Sequence, residues 1–490
     1  MAEPAGTRAD RSDSLAGRPQ AGVGQPQGSA PTAAQRLARA AAATSWADLP
    51  PTLRERAVDV FIDTLAVMAA GSDRPAQVSL QGLLGAGSGG ASLIGRAEPV
   101  SAAVAVVVNG SNPTVYQIDE GQRLSRGHPG IHIVPVVLAL TEERGLPAAD
   151  CFSALVAGYE VAARVGQSLG GAKPDIHPHG NWGAIGAAVA SAWLLSRGDA
   201  QVIASAIELA SSLALAPDRA ALKAGHGTHH LMAALGAEAG LISGSAAAAG
   251  FSATPGCLER FFGPRSGLAF DPAVLLAGLG PERWSEYRLA SSYFKFWPAC
   301  AHTHTCINAA LALRQEFGFA AEEVERIDIR AFAAAASLDR TEVGDNDLAA
   351  RYSIPYVVAA ALSQGRFDLE SFTSARLADP ELGRLVERVE LRHDPALDAG
   401  YPEQGRPIVM EITLHDGRRL TRAVALSYGD DELPASRGDL RRKALRLLTH
   451  RFGPVAAERA LAAAEAFGGG GPIQDLSAAL RAAAREEKDV

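Results

Sequence analysis

Ile185-Gly-Ala-Ala-Val-Ala-Ser-Ala-Trp-Leu-Leu195 is apolar nearly all round. A helix with no polar stripe belongs at the centre of a helical bundle, because every side of it must be covered. Working outward, Pro51-TLRERAVDVFIDTLAVMAAG places Val58, Phe61, Ile62, Leu65 and Met68 at three- and four-residue steps behind an N-terminal proline, with Gly71 closing the run. Comparable segments run from Ala102 to Val108, Ile131 to Leu140, Ala148 to Val165, Trp182 to Leu195 and His229 to Leu241. The texture changes after residue 275. Val324-ERIDIRAF, Val386-ERVELRHD, Ile408-VMEITLHDG and Arg419-LTRAVALSY alternate polar and apolar residues, the period of half-buried strands. Asp416-Gly417 between the last two signals a hairpin turn. Helical patterning returns from about Arg437 to Arg485. The expected architecture is mainly α: an all-α domain built from both chain ends (33–275 and 427–490), with a smaller α+β lid domain inserted over 276–426.

The chain has 490 residues, 47% of them hydrophobic and 20% charged, enough to bury a large core. A formal charge of −8 and the lack of a Lys/Arg-rich run exclude nucleic acid as the expected partner. A local cation cluster could still hold a small anion. Four cysteines in so long a chain make no disulfide framework, which fits a reducing cytoplasm. No window offers about 18 consecutive apolar residues, so no membrane span is predicted. Residues 1–32 are rich in Gly, Pro, Ser, Ala and Gln without an apolar stretch, the composition of a disordered extension.

Nine of the twelve histidines fall in four windows, His128–His132, His177–His179, His226–His230 and His302–His304. Histidine titrates near neutrality, so windows gathered by folding would place proton donors and acceptors in one cavity. Lysine is scarce, five against 41 arginines, and Lys173, Lys223 and Lys295 lie in or beside these windows. The first window is a polar loop, Tyr116 to Gly130, containing Asp119, Glu120, Arg123, Arg126 and His128, and it feeds the apolar helix IHIVPVVLAL. It is expected to face a cavity; the alternative is a solvated turn. His132, on an apolar helix face, is expected to be a satisfied core residue. The second window, His177-Pro-His179-Gly-Asn181-Trp182-Gly183, again precedes a buried helix, with simple capping by Asn181 as the alternative. In Lys223-Ala-Gly225-His226-Gly-Thr-His229-His230 the last two histidines are expected on a helix surface.

Lys295 lies in Tyr293-Phe-Lys-Phe-Trp297, where it either snorkels to solvent or meets an anion. Cys300-Ala-His302-Thr-His304-Thr-Cys306 lacks the separated ligand pairs of structural zinc sites, so no metal is expected there. In Arg351-Tyr-Ser353-Ile-Pro355-Tyr356, Ser353 is the predicted N-cap and Tyr356 lies in the first turn, where free N–H groups favour an anion. Gly85-Ala-Gly-Ser-Gly-Gly90 satisfies G-x-G-x-x-G, but it leads into a β-like ASLIG and no acidic residue follows at ribose-binding distance. A surface loop is the expected outcome.

Taken together, NGSNPTVYQIDEGQRLSRGHPG, HPHGNWGAIGAA, YFKFWPACAHTHTCINAA and ARYSIPYVVAAAL resemble the MmgE/PrpD family, over nearly everything from about residue 33 onward. The resemblance implies a large helical domain made from both termini, a smaller α+β lid, a homodimer and a site between the domains, with no metal or cofactor. By motif position it implies catalytic roles for Asp119, His128, His177, Lys295 and Tyr356. We add Lys223, His179, Arg351 and His302 as candidate substrate-binding residues. Two departures bear on the substrate. The family's D-F-D-D-T run stands here as Gln117-Ile-Asp119-Glu120-Gly121, and its T-K-x-x-H-x-G stretch survives only in part as Leu222-Lys223-Ala-Gly225-His226-Gly227-Thr228. The expected activity is cofactor-independent elimination of water from a small hydroxy-polycarboxylate. Decarboxylation of a cis-aconitate-like acid, epimerisation of a dicarboxylate and a non-catalytic role are the alternatives.

Overall fold

A computed structural model describes residues 30–482, apart from the side chains of Lys223 and Ala482. The extension expected over 1–32 thus lies almost wholly outside the described residues, as does the side chain of the candidate Lys223. The protein is mainly α. At its centre the Gly183–Ser196 helix is buried without interruption from Gly183 to Leu194. It packs on the Ala148–Ser168, Thr228–Ala248, Ala200–Ser212 and Gly130–Arg144 helices. Small residues set the closeness of these crossings. A Cβ on Gly240 would lie 2.3 Å from that of Ala187, and one on Gly158 would lie 2.6 Å from the Gly186 carbonyl oxygen. Among the described residues, Thr228–Ala248 is the one helix long and apolar enough to cross a membrane. Here it is a core element, packed on the Gly183–Ser196, Ala200–Ser212, Ala102–Gly110 and Gly130–Arg144 helices among others.

Both ends of the described stretch enter this core. Arg437–Phe452 packs along Pro51–Gly71, and Leu440, Leu447, Leu461, Leu476 and Leu480 belong to the same hydrophobic cluster as Phe61 and Ile185. A second cluster draws on residues 297–424 together with Leu222. The segment 276–296 was expected with the lid, yet its Trp284, Leu289 and Phe294 pack into the helical cluster.

Within the second cluster, β3 (Val324–Ala331), β4 (Val389–His393), β5 (Ile408–Leu414) and β6 (Arg419–Val424) form one sheet in the order β4-β3-β5-β6. The β3/β4 pair is parallel and the others antiparallel. Ile408, Met410, Ile412 and Leu414 bury one face of β5, as alternation requires. The β5–β6 turn uses Gly417 at φ +88°, a conformation that suits glycine. The His304–Phe317 and Ile354–Gln364 helices cover the sheet. The Gly85–Gly90 stretch leads into an isolated bridge between Ala91 and Val100 and opens no helix, so the dinucleotide pattern is only a sequence coincidence.

Candidate active site

A two-residue pairing joins the loop after Tyr116 to the segment that carries Lys295. β1 (Gly121–Gln122) runs antiparallel to β2 (Ser292–Tyr293). This register brings Lys295 Nζ within 2.9 Å of Asp119 Oδ1 and 3.2 Å of the Gln117 carbonyl oxygen. The anion among the aromatics is therefore Asp119. His128 Nδ1 lies 2.9 Å from Asp119 Oδ2, although its hydrogen bond goes to the Glu120 carbonyl oxygen, so Asp119 acts on the ring by proximity. Burial works against the charge on Asp119. His128 and Lys295 outweigh it and hold the carboxyl well below the ordinary range.

Behind this group lies a second buried layer. Lys443 Nζ donates to Asp63 Oδ1 at 2.5 Å and to the Ile118 carbonyl oxygen at 2.7 Å, anchoring the loop from a C-terminal helix. Glu120 receives the Tyr159 hydroxyl and the Gly130 N–H; burial, reinforced by Asp119 and Asp63, pushes its carboxyl up to about 8. Gln117 and Arg126 both sit at φ 54°, a left-handed conformation unusual for non-glycine residues, and both side chains line the cavity.

The second histidine loop is seated by Gly180, at φ +77°, where a Cβ would lie 2.4 Å from the Met232 carbonyl oxygen. That close approach lays His177 and His179 against the helix carrying His229. Ring centroids are 4.5 Å apart for His177/His179, 5.2 Å for His177/His229 and 5.1 Å for both His179/His229 and His128/His179. An isolated bridge between Ile176 and Asp218 places Arg219 beside this loop. Burial, then the charge of Arg219, pushes His177 down to about 3. Burial also drives His179, His229 and His302 well below the usual histidine range.

His128, His177, His179, Lys295 and His302 line one cavity of about 110 Å³, with Asp119 directly behind Lys295 and His128. Arg126, Arg219 and Arg406 line it too, giving a wall of cations suited to carboxylates. Two candidates are not brought there. Tyr356 donates its hydroxyl to the Ser371 carbonyl oxygen inside the second hydrophobic cluster. Arg351 donates to the Pro298 and Tyr116 carbonyl oxygens and stacks 4.0 Å over Phe372. Ser353 does cap its helix, accepting the Tyr356 N–H at 3.1 Å, but that N-terminus does not open on the cavity. Tyr352 lines the cavity instead, its hydroxyl bonded to Gln117.

Other expectations divide the same way. His132 is the satisfied core residue expected, accepting the Gly180 N–H on Nε2 and donating from Nδ1 to the His128 carbonyl oxygen. His229 is fully buried, not on a helix surface, because the Thr228–Ala248 helix is covered on that side by the second histidine loop. Asn181 does not cap its helix; its amide donates to the Leu215 carbonyl oxygen and Ser266 Oγ. No sequence motif names Arg219, Arg406 or Tyr401, and Tyr293 stands there only as a neighbour of Lys295 in its aromatic stretch. Tyr352 stood inside a quoted motif, but no pattern there separates it from Tyr356.

Comparison with known proteins places the chain in a family. The MmgE/PrpD N-terminal domain matches residues 35–269 and the MmgE/PrpD C-terminal domain matches residues 297–468. The chain belongs to the MmgE/PrpD family. A cis-aconitate decarboxylase of Mus musculus is 32% identical over 160 residues, 31% of this chain and 31% of that protein. A 2-methylcitrate dehydratase of Salmonella typhimurium is 28% identical over 151 residues, 29% of this chain and 31% of its own length. A mitochondrial 2-methylcitrate dehydratase of Yarrowia lipolytica is 28% identical over 142 residues, 27% of each chain. These matches thus span about a third of the curated relatives or less.

Proposed function

We propose that this MmgE/PrpD member is a cofactor-independent hydro-lyase acting on a small hydroxy-polycarboxylate. The observation that carries the reading is Asp119, held between His128 and Lys295 at a cavity whose other cations are Arg126, Arg219 and Arg406. Elimination of water next to a carboxylate needs a base for the α-proton and cations for the charge that develops on that carboxylate. With Nδ1 of His128 donating to the Glu120 carbonyl oxygen, Nε2 is its basic nitrogen, and Asp119 stabilises the imidazolium formed when it takes the proton. Lys295 and the arginines receive the substrate carboxylates. His177, kept neutral by burial and Arg219, hydrogen-bonds the leaving hydroxyl, which departs as water once the proton held by His128 reaches it.

The second hydrophobic cluster serves as the lid over this site. Arg123 ties the site loop to that side, donating to the Pro402 carbonyl oxygen at 2.7 Å. A second copy of the chain is the expected partner: Leu231, Leu235 and Ile242 expose one stripe of an otherwise covered helix. Decarboxylation is the second reading, favoured by the relative of that name. Incubation with a panel of citrate-like acids in deuterated water separates the outcomes. A new alkene with loss of water supports the dehydratase and carbon dioxide supports the decarboxylase. Solvent deuterium in unchanged substrate indicates epimerisation, and no turnover of any acid overturns the enzymatic reading.

A further inference from the structure

Asp63, Asp119 and Glu120 are all buried in the layer behind the cavity, and the two ammonium groups there are both taken. Asp119 pairs with Lys295 at 2.9 Å and Asp63 with Lys443 at 2.5 Å. Among the described residues no cation pairs with Glu120. Its carboxyl meets neutral groups instead, the Tyr159 hydroxyl at 3.1 Å on Oε2 and the Gly130 N–H at 2.5 Å on Oε1. An unpaired charge is so unfavourable in a core that a carboxyl placed this way keeps its proton. Thr64 Oγ1, buried and without a partner, is available to that proton. A Cβ on Gly130 would meet Thr64 Oγ1 at 2.8 Å and Glu120 Oε1 at 2.5 Å, so both atoms border one small gap.

The same residue holds the proposed base from two sides. Its main-chain carbonyl oxygen accepts Nδ1 of His128 at 2.5 Å, and its side chain accepts the N–H of Gly130, two residues further on. We propose that Glu120 is a positioning residue that works as an un-ionised acid, clasping the His128–Gly130 turn while adding no negative charge beside Asp119. The titratable and charged groups around it are Asp63 from Pro51–Gly71, Tyr159 from Ala148–Ser168, Tyr293 from β2, and Asp119 and His128 on its own loop. Lys443 and Lys295 stand behind Asp63 and Asp119. Burial first, then the charges of Asp119 and Asp63, push the Glu120 carboxyl up to about 8. Below that value His128 feels only Asp119 and is free to act as a base. Above it, an ionised Glu120 repels Asp119 and Asp63, loosens the turn and holds His128 as imidazolium, so the rate falls.

Two measurements on the full-length protein read the protonation state without turnover. Infrared difference spectra of wild type against Glu120→Gln should show the band of an un-ionised carboxyl at pH 7, lost above about pH 8. The folded-state value also stands above the unfolded one of about 4.3, so the stabilisation from this group is complete below that pH and is lost as pH rises toward 8. The unfolding constant of wild type relative to Glu120→Gln should therefore rise up to about tenfold per pH unit between pH 5 and 8 and then level off, a ratio in which the opposite trend of the buried histidines cancels. A missing band at pH 7, or a ratio independent of pH, overturns the inference. The kinetic arm rests on the hydro-lyase reading. Glu120→Leu should lower kcat about 100-fold, as misplacement of a reacting group does. Glu120→Gln, which keeps the shape and hydrogen bonds of the neutral acid, should recover most of that loss, and its rate should not fall near pH 8. A Gln variant as impaired as the Leu variant, or one that keeps the alkaline fall, overturns the positioning role. Should Glu120→Leu fail to fold, the alkaline limb of Glu120→Gln still decides. No turnover of any acid would sink the hydro-lyase reading and the positioning role together, whereas a missing infrared band sinks the inference while turnover stands.

Discussion

Replacing Asp119 by Asn removes one charge from a buried set without changing its shape. Asp119 and Lys295 are each 1% exposed, so the ammonium loses its counter-charge where water cannot replace it. Nζ keeps the Gln117 carbonyl oxygen at 3.2 Å and can still use the amide oxygen of the new residue. Breaking a buried pair from one side costs about 3–5 kcal/mol, and the retained amide contact puts this variant near 3. The pH dependence gives a sharper check. The folded-state pKa of Asp119 is depressed below the unfolded value of about 3.9, so its stabilisation is complete above that pH and is lost as pH falls through the folded value. Denaturant unfolding of both proteins should therefore show a constant difference from pH 5 to 7 that shrinks below about pH 4. Turnover should drop about 10²–10⁴-fold, since His128 loses the charge that favours its imidazolium. A stability difference below about 0.5 kcal/mol at pH 7, or one independent of acid, would refute the claim that Asp119 is the hub of the site.

Arg219 lines the cavity half-buried, and Arg219→Gln should raise KM for a polycarboxylate about 10- to 100-fold, the worth of one charge-assisted hydrogen bond, with little change in kcat. Tyr352→Phe should lower kcat, whereas Tyr356→Phe should leave kinetics intact and cost about 1 kcal/mol of stability in denaturant, because its hydroxyl only ties Ser371. His132 and His177, pushed down to about 4 and about 3, stay neutral in the fold but charge when unfolded below about pH 6.5. Stability should accordingly fall with acid from pH 6.5 toward 4, by up to about 1.4 kcal/mol per pH unit for each, and His132→Gln should flatten the slope. A slope unchanged in that variant would mean that His132 does not titrate on unfolding.

Local pattern carried much of the architecture. The all-apolar run at Ile185, the alternation in β5 and the Asp416-Gly417 turn each specify an element through contacts a few residues apart, and each is present. The polar loops before the Gly130–Arg144 and Gly183–Ser196 helices were also visible, and they supply Asp119, His128, His177 and His179. What the sequence could not show was which way equivalent side chains face. Tyr352 follows the short Asp347–Arg351 helix and Tyr356 lies in the first turn of Ile354–Gln364, so no shared register links them, and the break at Ser353 lets one face the cavity while the other packs within the second hydrophobic cluster. His229 lies on a helix apolar on most sides, where periodicity names no inward face. Arg219 and Arg406 reach the cavity through an isolated bridge and a buried pair with Asp430, contacts between segments far apart in the chain. Short-range sterics and hydrophobic period are written residue by residue. The charge balance of a cavity is a sum over groups that only long-range packing brings within a few ångströms.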